Sequence, residues 1–364
     1  MSDKPPLTII GAGCAGLSLA REIGKRRLCD MHLQTDRPST ERAPHIWGFW
    51  QMPWLDDASQ HAAHSWPKWR FCDDDGQVIH ASQNHPYHML ESDKWLSHCL
   101  TAANIEEVCK PVTAPPQSGP YFDSRPLPAH KGALLQHFLG QHIETATDAF
   151  DEGIATLMDF RCDQSQGLHF IYLLPTSRKT ALIESTLFTD TPLEAAFYEE
   201  AISAYMASHY SGISYQVTGT EAGVIPLADC RDKDQPQTAI GARGGALRPS
   251  SGYAFTFIQK QIAAIISHHQ KTGEWRAKSP LSARDIWMDK VFLHVLEKRP
   301  AMAISLFMRL ASALQGDEFA AFMSGTASWR IVMKTIFAMP KWPFITAAFA
   351  VTLTIKGHRR GTAR

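Results

Sequence analysis

The chain has 364 residues, 44% hydrophobic and 20% charged, so it can bury a large core and is too long for one compact domain. Thirty-six basic residues cancel thirty-six acidic ones, which excludes a global attraction to nucleic acid or to an anionic membrane and leaves only local ones. Seven cysteines, odd in number and without a C-x-x-C pair, read as reduced thiols and exclude a disulfide frame or a zinc site.

Leu7 to Ile10 is a short apolar run that ends in Gly11-Ala12-Gly13-Cys14-Ala15-Gly16, and Leu17, Ala20 and Ile23 continue with helical spacing. Strand, Gly-x-Gly-x-x-Gly turn and helix form a dinucleotide-binding unit. Gly11 permits the sharp turn, Gly13 lets backbone N–H groups approach a pyrophosphate, and Gly16 lets the helix pack close to the strand. The expected second strand, Met31 to Asp36, ends on an acid, which makes Asp36 the candidate ribose ligand. No hydrophobic leader precedes the first motif, so a cytoplasmic location is expected.

Five of the ten tryptophans fall between Trp47 and Trp69, around Trp47, Phe49 and Trp50; they form either core or the apolar wall of a large ligand site. His61 and His64 are placed to share a helix face, but no third ligand stands at metal spacing and no metal is expected. Ser92 to Leu100 reads as a short helix and Pro111 to Pro120 as a loop. Tyr121 to Pro126 is extended, with Asp123 and Arg125 on one face, free to pair or to meet a ligand.

The most regular β pattern follows. Ala155 to Cys162, Leu168 to Leu174 and Ala181 to Phe188 are joined by turn-rich connectors, as in an antiparallel meander. Alternation puts Leu182, Glu184 and Thr186 on one face. If Glu184 is buried, its pKa rises and it becomes a proton donor near neutral pH; at a sheet edge it would simply meet water. Thr191 to Tyr210 is expected to be helical, and Glu221 to Leu227 strand-like. A second glycine turn, Gly241 to Gly252, runs from a short strand into a helix expected over 253–268 and capped by Ser250 or Ser251. Two helix N-termini, each behind a glycine turn, suit a long ligand with a diphosphate at one end and a ring at the other, the shape of FAD. The last eighty residues are helical and apolar; Trp342 to Ile355 has no charge, is too short to span a bilayer, and precedes the basic Lys356, Arg359, Arg360 and Arg364. That segment is either an interfacial anchor or a buried helix with a solvated tail.

In order and spacing, these pieces resemble the bacterial FAD-dependent lycopene cyclases. The resemblance is carried by Gly11 to Gly16, His45 to Trp50, Phe122 to Pro126, Gln136 to Gly140, Leu157 to Arg161, Phe170 to Pro175, Ala181 to Thr186, Glu221 to Pro226 and Gly241 to Tyr253. It implies an α/β fold, with a Rossmann-like FAD-binding domain interleaved with an antiparallel-sheet substrate domain and a helical C-terminal region. The expected boundaries are 1–70 and 226–275 for FAD, 71–225 for substrate and 276–364 for the helical part. It further implies reduced FAD, with NAD(P)H as reductant, and an acid that protonates the terminal double bond of lycopene. The resulting cation closes a ring and loses a proton. By the motif that acid is Glu184, with Asp123 and Asp159 as the next candidates. Cofactor contacts are expected at Gly11 to Gly16, Asp36, Gly241, Arg243, Gly244, Pro249, Ser251, Gly252 and Tyr253. Trp47, Phe49, Trp50, Phe170 and Tyr172 are expected against the polyene. Partners implied are the inner membrane face and other carotenoid-pathway enzymes. Thr35 stands where the family usually carries an acid, and Gly48 where it carries a bulkier residue. Two other readings share the sequence: a flavin monooxygenase or prenyl-chain reductase acting on another lipid, and a non-catalytic carotenoid- or lipid-binding flavoprotein.

Overall fold

The computed structural model describes residues 5–112, 114–128 and 132–361. It divides into two compact units, each built from several stretches of chain. The first comprises residues up to His64, those from His88, and Asp229–Ser282. Its sheet is parallel, in the order Glu107–Cys109, Met31–Thr35, Leu7–Ile10, Tyr121–Asp123. Leu7, Ile9 and Ile10 are buried because helices cover a parallel sheet on both faces. The short strand expected before the second glycine turn is reduced to a single bridge from Ala239 to Asp123.

Three helices, Cys14–Arg26, Ser92–Ala103 and Phe255–Thr272, meet at the buried Ser18. Its hydroxyl accepts from Trp95 Nε1 at 3.1 Å and from Gln259 Nε2 at 2.9 Å. At Gly24 a Cβ would come within 2.6 Å of the Ala103 carbonyl oxygen, so the first two helices touch backbone to backbone. The third helix starts at Phe255, two residues later than expected, and neither Ser250 nor Ser251 caps it. The preceding turn takes up those residues: Gly252 has φ +69°, its N–H donates to the Arg248 carbonyl, and Arg248 N–H donates to the Tyr253 carbonyl.

The second unit holds a seven-stranded sheet. Its order is Tyr215–Pro226, Leu135–Thr145, Thr180–Thr189, Leu168–Pro175, Ala155–Asp159, Lys68–Asp73, Gly76–Ala81. The expected meander forms its centre, with antiparallel pairing throughout. On one face Leu139, Ile143, Ile171, Leu173, Ile183 and Leu187 pack on Tyr198, Ile202, Tyr205 and Met206 of the helix Ala195–His209. That helix begins four residues later than expected, because Pro192 to Glu194 stay outside it and Leu193 N–H donates to the Tyr198 hydroxyl at 3.1 Å. The strand period of two then assigns Glu184 to the opposite face. Helices Ala283–Lys298, Ala303–Ala313, Gly316–Met323, Trp329–Ala338 and Lys341–Gly361 complete the unit, and Phe307 meets Phe188, a residue on Glu184's face, at 6.4 Å between ring centres.

Candidate functional site

In the first unit the fingerprint forms a cradle. Gly11 has φ +95°, a conformation that side chains resist, and so turns the chain out of the strand. Gly13 is the N-cap of the first helix and provides no side-chain cap, and nothing lies within 4 Å of where its Cβ would be. The first N–H groups of the helix therefore face open space of the kind an anion fills. The Cys14 thiol is directed inward: burial first, then Cys99, raises its pKa, while Ser18 and Gln259 bond to it. Its share in the cradle is its backbone.

The second turn abuts the first. A Cβ on Gly241 would lie 3.0 Å from Ala15 Cβ. Gln261, fully buried and not singled out from the sequence, holds this turn from below; it accepts from Gly241 N–H at 2.9 Å and donates to the Gly244 carbonyl at 3.0 Å. A lone glutamine in a helix carries no motif, so only the fold reveals it. Pro249, Ser251 and Gly252 form the loop before the Phe255 helix, and the Tyr253 ring lies 5.3 Å from Trp50. These surroundings fit a dinucleotide: two glycine turns side by side, each followed by a helix without a side-chain cap.

Two expected cofactor contacts have other occupations. Arg243 donates to Asp123 at 3.0 Å and to Asp232 at 2.6 Å, and Asp123 also takes two bonds from the Arg125 guanidinium and one from its backbone N–H. This cluster straps the central sheet to the second turn, so Asp123 and Arg125 pair with each other. At the end of the second strand Thr35 is buried and its hydroxyl donates to the Arg37 carbonyl at 2.8 Å. Asp36 stands one residue beyond, 74% exposed at its side chain, and pairs with Arg42 at 3.3 Å.

The aromatic cluster of this unit packs on itself, with Trp47 half-buried. Phe49 and Trp50 are buried, and Phe255 gathers Trp47 at 5.5 Å, Phe49 at 5.1 Å and Trp95 at 5.6 Å. His61 lies just past the short helix Asp56–Gln60 and His64 begins a strand, so they share no helix face. His61 instead lies near Asp57 and His98, with their ligand atoms within 4.8 Å. Asp57 Oδ2 is already held by Arg21 at 2.7 Å and Lys25 at 3.2 Å, two cations that oppose a third.

The second unit holds Glu184 and Asp159, two of the three candidate acids. Register places Glu221, Gly140, Glu184 and Tyr172 in one row across four adjacent strands. Gly140 is the key to that row. A Cβ there would sit 2.8 Å from Glu184 Cγ and 3.3 Å from Glu221 Cγ, so the missing side chain lets the two carboxyl groups meet over the middle strand. Both side chains therefore crowd the same glycine, and the nearness of Glu221 is one of the causes that push the Glu184 carboxyl up. Ionised carboxylates have no donor, so a hydrogen bond between two such groups needs a proton on one of them.

Glu184 is 8% exposed and lies in the middle of the sheet, not at an edge. Burial, then the charge of Glu221, then the bond to Glu221 push its pKa well above the ordinary carboxyl value. Along the same face run Leu182 and Thr186 on its own strand and Phe170 and Tyr172 on the next; the Tyr172 hydroxyl bonds that of Tyr87 at 2.9 Å. This is a largely apolar stretch of sheet with a pair of carboxyl groups set into it.

Asp159 is a different kind of group. It pairs opposite Ile171, on the face that packs against the Ala195–His209 helix, and is bound by Arg161 at 2.6 Å and the Tyr205 hydroxyl at 2.8 Å. Burial acts to raise its pKa, but the bonds from Arg161 and Tyr205 outweigh this and hold it below the usual carboxyl range. Burial and Glu221 thus push Glu184 up, while Arg161 and Tyr205 hold Asp159 down. Glu221 and Gly140 escaped notice in the sequence because their partnership depends on register; the one local signal was a glycine inside a strand, which marks close approach.

Gly140→Ala is expected to cost about 1–3 kcal/mol through overpacking and to force the two carboxyl groups apart. Thermal melting and turnover check it; unchanged values of both would mean that the carboxyls yield without cost.

A family model described as lycopene cyclase protein matches residues 116–349, well over half of the chain. The chain is similar to a lycopene beta-cyclase from Pantoea ananas, 23% identical over 404 residues, covering 97% of this chain and 100% of that protein. It is 30% identical over 151 residues to a lycopene beta-cyclase from Paracoccus sp., covering 38% of this chain and 37% of that one. In fold it resembles a geranylgeranyl bacteriochlorophyll reductase-like protein from Thermoplasma acidophilum, with TM-score 0.59, 12% identity, and 95% and 98% of the two chains covered. A flavin-dependent brominase is similar at TM-score 0.55 and 12% identity, with 98% and 99% covered. The fold, a Rossmann-like parallel sheet with an antiparallel sheet and C-terminal helices, is thus that of flavoproteins, and the chain belongs to the lycopene cyclase family.

Proposed function

We propose that the chain is a lycopene β-cyclase that closes the acyclic ends of lycopene in a redox-neutral, acid-catalysed reaction requiring reduced FAD. The observation that carries this reading is Glu184, buried in an apolar, aromatic sheet face where burial and the neighbouring Glu221 push its pKa up. A polyene offers no polar handle, so its site must be apolar, and protonating its alkene needs an acid that still carries its proton in a site from which water is excluded. Glu184 supplies that proton, while Phe170 and Tyr172 flank the end group and present π faces to the developing cation. When bound and reduced, FAD would supply electron density to the reaction, with NAD(P)H as its reductant; Gly11 to Gly16 and Gly241 to Tyr253 would hold it.

The test is co-expression in cells that accumulate lycopene. Cyclic carotenes are the expected product, without stoichiometric loss of NAD(P)H. Unchanged lycopene with folded, flavin-loaded protein would sink the reading, and stoichiometric NAD(P)H consumption would point to a reductase or monooxygenase.

The protein is further proposed to work from the cytoplasmic side of a membrane, drawing its substrate from an anionic lipid leaflet. Among the described residues no single helix is long and apolar enough to cross a bilayer. The helices Trp329–Ala338 and Lys341–Gly361, bent at 117°, leave Trp329 66%, Phe337 67%, Trp342 77%, Phe349 68% and Leu353 68% exposed. From Trp329 onward the sequence carries seven lysines and arginines and no acid, which matches exposed apolar rings to an anionic surface. Wild-type protein is expected to co-sediment with phosphatidylglycerol vesicles and to release in high salt. The double variant Trp342→Ser, Phe349→Ser should lose most of that binding; equal binding by variant and wild type would refute the surface.

A further inference from the structure

We propose that Glu184 and Glu221 act as an acid–base pair holding a single proton, Glu184 giving it to the polyene end and Glu221 receiving the one that the ring cation gives up. The proposal rests on the cyclisation reading above and concerns which group closes the proton cycle.

The stoichiometry demands two functions. Cyclisation takes up one proton and releases one, with no change in oxidation state. In the first step Glu184 O–H breaks and a new C–H bond forms at the terminal alkene carbon, leaving a tertiary cation. The π electrons of the neighbouring alkene then form the ring C–C bond and move the cation into the ring. Finally a C–H bond beside that cation breaks, its electron pair makes the ring double bond, and the proton passes to Glu221. The pair ends with its proton on the other member, and transfer between the two adjacent carboxyl groups returns it to Glu184. No solvent proton and no co-reactant is needed at this step.

The geometry is built for such a pair and for little else. Glu184 and Glu221 stand opposite the same residue, Gly140, on the two strands that flank it, and only glycine leaves room for both. A structural carboxylate in a core is normally bound by a cation, as Asp123 is by Arg243 and Asp159 by Arg161. Glu184 has instead a second carboxyl group. Two such groups in contact repel when both are charged, so the arrangement favours the singly protonated form. Among the described strand residues, the other polar or titratable groups on this face include Tyr172 directly across from Glu184, Tyr87 bonded to it, Thr186 beside Glu184, His142 two residues from Gly140, and, four residues from Gly140 on either side, Gln136 and the exposed Glu144, which pairs opposite Thr180. Arg309 on the helix Ala303–Ala313 is exposed to water.

The test is the pH profile of turnover with lycopene for the flavin-loaded wild type, Glu221→Gln and Glu221→Asp. The wild type is expected to give a bell: activity falls at low pH when the pair gains a second proton and loses its base, and at high pH when it loses its shared proton. Glu221→Gln should lower kcat at least tenfold, abolish the low-pH limb, and move the high-pH limb to lower pH, since the neighbouring charge that raises Glu184 is gone. Glu221→Asp should keep both limbs at reduced kcat. Glu221→Gln with both limbs intact and kcat within threefold of wild type would overturn the proposal. If the glutamine variant does not fold, a single-limbed aspartate variant would overturn it, and a two-limbed one would support it. A wild type that binds flavin and leaves lycopene unchanged would instead refute the cyclisation reading itself.

Discussion

Glu184→Gln is expected to cut lycopene cyclisation by roughly a hundredfold or more, the usual worth of a positioned general acid, while flavin content stays unchanged. Glutamine keeps the size and hydrogen-bonding reach of the side chain and removes only the transferable proton. Flavin is the proper control because the glycine turns lie on other elements, Gly11 to Gly16 and Gly241 to Gly252, and do not include the Thr180–Thr189 strand. Turnover above about a tenth of wild type would mean that the proton comes from elsewhere. The same variant should change the pH dependence of stability. Its carboxyl pKa is raised in the folded chain above 4.5, so the folded state keeps a proton that the unfolded state releases once the pH passes that value. Wild-type stability therefore falls as pH rises from there through the raised folded value, and the glutamine variant lacks this part of the fall. Melting curves at about pH 5 and about pH 8 test it; an identical decline in the two proteins would show that Glu184 is not held protonated.

Gly16→Ala is expected to destabilise the nucleotide unit by about 3 kcal/mol and to yield protein without bound FAD. The added methyl would lie 1.9 Å from the Gly11 carbonyl oxygen and 3.3 Å from Ile9 Cγ2. The first of these is backbone at the very turn that shapes the cradle, so the helix must pull away from the strand and carry its N-terminal N–H groups with it. Gly13→Ala makes the informative contrast. Nothing stands within 4 Å of the new methyl, so the variant should melt like wild type and still lose flavin, because the space it enters is the ligand's. Quantifying FAD released by heat, alongside melting, checks both. Full flavin occupancy in either variant would remove this turn from the cofactor site.

Local physics made much of this molecule readable. The strand, glycine turn and helix at Leu7 to Ile23 form as expected because the turn's backbone demands are met by the glycines themselves. The meander around Glu184 forms because hydrophobic alternation and turn residues act over a few positions. What misled was competition from neighbours. The helix expected from Tyr253 starts at Phe255 because the preceding turn takes up that residue's carbonyl, and Asp36, acidic and near the right place, lies one residue past the buried strand end that Thr35 fills. Arg243 has the look of a ligand-binding side chain in a glycine turn, yet Asp123 and Asp232 use it to fasten that turn to the sheet.

The sequence by itself determined that the chain carries a dinucleotide fingerprint, a meander with a glutamate among apolar residues, and an apolar, basic C-terminal segment. These are properties of residue type and spacing, and they survive any packing. The tertiary structure alone decided whether Glu184 is buried beside another carboxyl group or solvated at an edge. That depended on its strand lying inside a seven-stranded sheet, and on residues 44 and 37 positions away, Gly140 and Glu221, arriving beside it in register. A side chain's proton affinity is set by what surrounds it in space, and no local pattern encodes strand neighbours so distant along the chain.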